Sequence, residues 1–228
     1  MYIPYVTSEE ELVELVNAVG FLPFFRNPLP GFSLEEHIDP YYWFNDEADG
    51  AWEWKGPVIL DAQCAYGKFF RNKAGFISKE WYPDFANWRR DGYDFDALFA
   101  DHLARYDDQY MYQIFEKHPS LLTRDLKRIG DFGKDRMKGF DTIITRLQMM
   151  GYVVIGNFEY QISKSGELYG WGMARYETPE HFFGEAFTQH VYDRAPEESK
   201  ERIFRHIQNI WGPFDEKDLE KFLRRQSV

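Results

Sequence analysis

A single cysteine, Cys64, leaves the 228-residue chain with no partner for an intrachain disulfide and no thiolate set for a zinc cage. No stretch approaches the ~18 apolar residues that a membrane helix needs. The start at Met1-Tyr2-Ile3-Pro4 lacks the charged-then-apolar order of a secretion signal. A soluble, cytoplasmic protein with no membrane partner is the expectation. The six histidines (37, 102, 118, 181, 190 and 206) form no His-x-x-x-His or His-Glu-x-x-His pattern, so neither a metal nor a cofactor is expected. There is no internal repeat of fixed period. Basic residues are scarce at one end: residues 1–62 hold 12 acids against two bases, Arg26 and Lys55.

What is present is ordinary globular material with an aromatic excess. Hydrophobic residues at 44% and charged residues at 29% argue against disorder, and aromatics reach 19%. The net charge of −11 is carried almost wholly by the first 62 residues, which contribute −10. Two later segments are each +3: residues 64–80, with Lys68, Arg71, Lys73 and Lys79, and residues 119–150. Local patches govern docking, so the acidic total does not exclude a polyanion partner.

Thr7-Ser8-Glu9-Glu10-Glu11 supplies a helix start, and Leu12, Leu15, Val16 and Val19 follow at helical spacing before Gly20. Prolines at 23, 28, 30, 40 and 57 among aromatic clusters predict irregular chain with short strands over 21–57. Val58-Ile59-Leu60 and the run 66–77, turning at Arg71-Asn72-Lys73, read as strands; residues 80–90 read as a short helix carrying Trp81, Phe85 and Trp88. A long helix is predicted over 95–118, a short one over 123–129 and a third over 134–150, whose stripe is Met137, Phe140, Ile144 and Leu147. A hairpin follows, with strands over 152–158 and 168–174 and a turn at Lys164-Ser165-Gly166. Three helical signals close the chain, at 178–187, 196–210 and 213–225. Helix, short helix, turn, helix and hairpin is the order of a winged helix, whose third helix faces a groove. The expected fold is mainly α (α+β), with winged-helix units, small β-hairpins and C-terminal helices. Its divisions are a degenerate winged-helix-like region over 1–96, a winged helix over 97–177 and C-terminal helices over 178–228.

The residues Leu147-Gln148-Met149-Met150-Gly151-Tyr152-Val153-Val154, the turn 164–166, and Ala174-Arg175-Tyr176-Glu177-Thr178-Pro179 resemble the last winged helix of the bacterial interstrand-crosslink-repair DNA glycosylases of the AlkZ and YcaQ group. The run from Cys64 to Ser78 is similar in position to that family's aromatic segment, and the likeness covers roughly residues 8–180. The resemblance implies tandem winged helices and duplex DNA as partner. It also implies a catalytic Gln-hydrophobe-Gln or Gln-hydrophobe-Asp triplet after an early helix, a polar pair able to hold the attacking water. Here the corresponding positions after Val19-Gly20-Phe21-Leu22 are Pro23 and Phe25, both apolar. None of the eight glutamines is followed two places later by Gln or Asp. The expectation is therefore a non-catalytic relative that binds DNA weakly or with a partner. The alternatives are a protein-interaction module and an enzyme, a glycosylase included, that uses other residues.

The candidate DNA contacts are Lys134, Arg136, Lys138, Thr142 and Arg146 on or beside the third helix, Lys164 in the wing, and Lys68, Arg71 and Lys73 beside Phe69 and Phe70. Each set has a plainer reading, a solvated helix face for the first and a basic hairpin neutralised by the acidic N-terminal region for the last. Asp107-Asp108 and Asp94-x-Asp96 could pair for acid–base work or simply sit near helix starts. Cys64 could be activated by its basic neighbours or lie inert and buried. Trp43, Trp52 and Trp54 could line a pocket or fill the core.

Overall fold

The computed structural model describes residues 3, 5–45, 47–133, 137–162, 166 and 168–223. Helix α1 (Glu9–Val19) starts where the Ser8 hydroxyl accepts the Glu11 N–H. It stops at Gly20, whose φ of +74° turns the chain into strand β1 (Phe21–Pro23). After a 3-10 turn at Leu34–Glu36 come α2 (Pro40–Trp43) and α3 (Ala51–Asp61). Strands β2 (Ala65–Phe70) and β3 (Lys73–Ile77) form a hairpin, followed by α4 (Tyr82–Arg90), α5 (Phe95–Ala100) and α6 (Tyr106–Lys117). Then come β4 (Ser120–Leu122), α7 (Thr123–Ile129), α8 (Phe140–Met149), β5 (Val154–Ile162) and β6 (Leu168–Glu177). The chain closes on α9 (Pro179–Phe183), α10 (Glu185–Thr188), α11 (Pro196–Trp211) and α12 (Glu216–Leu223).

All six strands join one antiparallel sheet in the order β1-β3-β2-β5-β6-β4. The fold is α+β. The two hairpins meet at Tyr66 opposite Ile155, and β4 pairs with the end of β6 through Ser120 opposite Glu177. Alternation along the strands sends Leu22, Tyr66, Phe76 and Ile155 into the core shared with α1, α3, α6 and α8. Phe21, Ala65, Ile77 and Val154 face the other way, into a core closed by α4, α11 and α12.

Three expectations are corrected. Residues 51–61 are helical, not irregular chain and strand. The Glu53 carboxylate accepts the Gly50 N–H at the start of α3, and Trp54, Val58 and Ile59 are buried despite Pro57 within the helix. The predicted long helix over 95–118 is two helices, because His102 takes φ +59° and the N–H groups of Leu103 and Ala104 both turn back to the Leu98 carbonyl. Leu103 and Tyr106, counted in its apolar stripe, are 56% and 79% exposed. The third helix begins at Phe140, behind Gly139 at φ +86°, and its predicted first turn at 134–136 lies outside the described residues.

Helix α4 is polar yet buried, so each polar side chain requires a partner. Tyr82 Oη donates to the Gly151 carbonyl at 2.6 Å, and Arg90 donates to the same carbonyl and to Tyr192 Oη. Asn87 donates to the Arg194 carbonyl and to Ser199 Oγ, while Arg89 donates to the Phe69 carbonyl. Asp84 accepts from Ser199 Oγ at 2.8 Å and from Arg202 Nε at 3.1 Å. Asp84→Ala removes the acceptor of the buried Ser199 hydroxyl and the anion facing Arg202, and is expected to cost about 2–3 kcal/mol in urea unfolding.

His206 of α11 stacks on Trp81 with ring centroids 4.0 Å apart, and its Nε2 lies 2.9 Å from the Val19 carbonyl. Burial holds its pKa below the ordinary 6.5, with the Val19 carbonyl and Glu80 pulling the other way. The unfolded chain therefore takes up this proton first, so stability contributed by His206 is present above pH 6.5 and declines as pH falls below it. Thermal unfolding at pH 5.5 and 7.5 is expected to show that loss in the parent chain and a smaller one in His206→Gln.

Candidate nucleic-acid interface

The β2–β3 hairpin turns through two residues, Arg71 at φ +51° and Asn72 at φ +64°. Two positive φ angles match the right-handed twist of a tight hairpin, a geometry that favours Asn and Gly. Arginine at the first position carries backbone strain of about 1–2 kcal/mol. Beside this turn the register sets Pro23 opposite Gly75, and the Phe24 N–H donates to the Ala74 carbonyl. Gly75 is needed there, since a Cβ would fall 2.5 Å from the Phe70 ring. The pairing brings Phe25 and Arg26 to the turn. Asn27 then fixes the following loop, accepting the Leu29 N–H and donating to the Phe32 carbonyl.

The result is a cleft of about 300 Å³ lined by Pro23, Phe25, Arg26, Arg71, Lys73 and Phe222 among others, with no carboxylate in its lining. Lys73 Nζ stands 5.9 Å from the Phe25 ring centroid. The nearest counter-charge to Arg26 is Glu35, 3.8 Å away with Arg26 itself 68% exposed, an arrangement that solvent screens. Cations over an aromatic surface suit a phosphate backbone with a base stacked alongside.

The two positions expected to lack the polar pair are apolar in space as well. Pro23 is buried, and the Phe25 ring packs 5.2, 6.1 and 5.9 Å from those of Phe24, Trp43 and Trp52. Trp43 and Trp52 thus belong to the core edge, while Trp54 packs on Tyr42.

The sequence-derived candidates divide. Arg71 and Lys73 meet at the cleft, where Arg26 joins them; its contribution depends on the β1–β3 register, which no local pattern shows. Lys68 points to α8: its Nζ donates to Thr145 Oγ1 at 3.3 Å and its backbone N–H to Gln148 Oε1. Lys138 and Thr142 are exposed at the start of α8. Arg146 is buried, donating from Nε and Nη2 to Asp108 and from Nη2 to Asp107 at 2.8 Å, so it ties α8 to α6 and does not reach outward. Asp107 and Asp108 are thereby spoken for as its partners. Lys134, Arg136 and Lys164 lie outside the described residues. Cys64 is buried, and burial pushes its thiol up to about 12, away from nucleophilic use. Among the described residues no group of three His, Cys, Asp or Glu is placed to hold a metal ion, and no helix is long and apolar enough to cross a membrane.

Because Arg71 is strained, Arg71→Gly is expected to raise stability by about 1 kcal/mol while weakening binding of any polyanion in the cleft. Urea midpoints and an anion-binding titration on the same variant check both halves.

Against models of known families, the one described as AlkZ related matches residues 6–224. No curated protein and no solved structure matches the chain.

Proposed function

The chain belongs to the AlkZ-related family, and from that premise we propose that it is a DNA-binding member without the family's water-activating pair. The single observation that carries this reading is the cleft at the β2–β3 turn. Arg26, Arg71 and Lys73 line it together with Pro23 and Phe25, the two residues that we take to stand at the positions of that pair. A site so built attracts phosphate but has no side chain at either position to orient a nucleophilic water.

We read α6, β4, α7, α8, β5 and β6 as a winged helix over residues 97–177, with 1–96 and 178–228 packed around it. The pairing of β4 with the end of β6 supports the reading, as does the exposure of Lys138 just before, and Thr142 on, the helix that would face DNA. A protein-interaction role is the second reading, favoured by Phe99, Leu103 and Tyr106, three large apolar side chains exposed within eight residues.

If the three cations of the cleft meet phosphates, the slope of log affinity for duplex DNA against log salt is about −2.7. Arg71→Glu with Lys73→Glu is expected to flatten the slope and cost more affinity than Lys134→Glu with Lys138→Glu. No binding at low salt would favour the interaction module. Incubation with alkylated or crosslinked duplex is expected to produce no abasic sites, and their appearance would overturn the non-catalytic reading.

A further inference from the structure

A second cavity, of about 360 Å³, lies at the opposite end of the β2–β3 hairpin from the cationic cleft. Gln63 stands just before β2 and Lys79 just after β3, and the wall also includes Leu60 of α3, Gly156 and Asn157 of β5, Glu177 of β6 and Phe182 and Phe183 of α9. These segments are distant in sequence and are gathered by the pairing of β2 with β5 and of β5 with β6.

Glu177 sets the chemistry. Its side chain is 12% exposed, with the imidazole of half-exposed His181 3.6 Å from its Oε2. Gly156 makes the room, since a Cβ there would lie 2.7 Å from the Glu177 carboxyl carbon. Arg175 also lines the cavity, but it is engaged by Glu159 and Ser120. Burial raises the Glu177 pKa above the ordinary carboxylate value, and His181, Ser120 and Arg175 offset this in part. Such a carboxylate gains from further N–H donors. At the rim, the half-buried Lys79 donates from Nζ to Gln63 Oε1 at 2.9 Å, which leaves ammonium hydrogens for another acceptor. Phe182 and Phe183 are half-buried and give the wall an apolar stretch.

The cavity is therefore lined by a mostly buried acceptor, Glu177, a cation, Lys79, and the aromatic surface of Phe182 and Phe183. It suits a flat ligand with paired N–H donors at one end and an anion at the other, and its volume is in the range of small-ligand sites. Among the bases, guanine places two adjacent N–H donors on one edge, matching both oxygens of a carboxylate. Adenine and cytosine set a donor beside an acceptor on that edge, and uracil flanks its single N–H with two acceptors. We propose that this cavity binds guanine nucleotides, the base donating from N1–H and its 2-amino group to Glu177 and the phosphate meeting Lys79. The same chemistry is offered by a free nucleotide and by a guanosine in single-stranded nucleic acid. The proposal does not rest on DNA binding at the cationic cleft.

Calorimetric titration of the full chain tests it, with GMP, IMP, AMP and guanosine, and with short single strands of thymidines carrying one central guanine or adenine. GMP is expected to bind, IMP, which lacks the 2-amino group, at least about tenfold more weakly, and AMP more weakly still. Binding of the guanine strand without GMP would assign the source to nucleic acid and uphold the same chemistry. Glu177→Gln is expected to lose the preference for GMP over IMP. Lys79→Ala sits at the rim and keeps the test open should Glu177→Gln fail to fold: GMP affinity is expected to fall about tenfold with guanosine affinity unchanged. Arg71→Glu with Lys73→Glu is expected to leave GMP binding intact, which separates this site from the DNA reading. Equal affinity for GMP and AMP, an unaltered preference in a folded Glu177→Gln, or no binding of GMP or the guanine strand at roughly 5 mM, a Kd too weak to count as recognition, would overturn the proposal.

Discussion

Burying a polar helix is the constraint on which the rest of this structure depends. Tyr82, Asp84, Asn87, Arg89 and Arg90 are all buried on α4, and desolvating each without a partner would cost more than a typical core contact returns. Their partners lie on the turn after α8, on β2, and on the segment from Tyr192 to Arg202. One nine-residue helix thus fixes the relation between the central sheet, the α8–β5 junction and the C-terminal helices. The Gly151 carbonyl shows the economy of this arrangement, since it serves both Tyr82 and Arg90 just where a residue at φ +74° turns α8 into β5.

The elements with strong local signals were legible in the sequence. Ser8 with the acids behind it and the turn after Phe70 appear close to where the pattern places them, and β5 and β6 pair as expected, although they run on to Ile162 and Glu177 and the expected turn residues Lys164 and Ser165 lie outside the described residues. The failures share a cause, because tertiary contacts outweighed local preference. Pro57 argues against a helix, yet α3 forms because Trp54, Val58 and Ile59 find a core. Leu98, Leu103 and Tyr106 mimic a stripe, yet the chain breaks at His102 and leaves the last two in solvent. Of the candidate site, Arg71 and Lys73 were readable as a basic turn, whereas Arg26 enters only through strand register. Arg146 illustrates the converse: a base on a predicted recognition helix is an internal ion-pair partner, which only the placement of Asp107 and Asp108 reveals.

The uneven charge of the chain also acquires a meaning. Among the described residues, the acids of the first 62 do not line the cationic cleft. Glu35 approaches it through exposed Arg26. A negative total therefore coexists with a concavity lined by three cations.

The hydrogen bonds that Asp84 accepts from Ser199 and Arg202, and the one that Asn87 donates to Ser199, join residues 112 to 118 positions apart. During synthesis the chain up to α8 emerges with these polar groups unmatched, and Tyr82 and Arg90 wait likewise for the Gly151 carbonyl. The first half consequently has no complete interior of its own until residues 194–202 are in place. In a chain truncated before α11, Asp84 and Asn87 would lack these partners, and the polar face of α4 would lie uncovered in a half-built core, a state that favours aggregation.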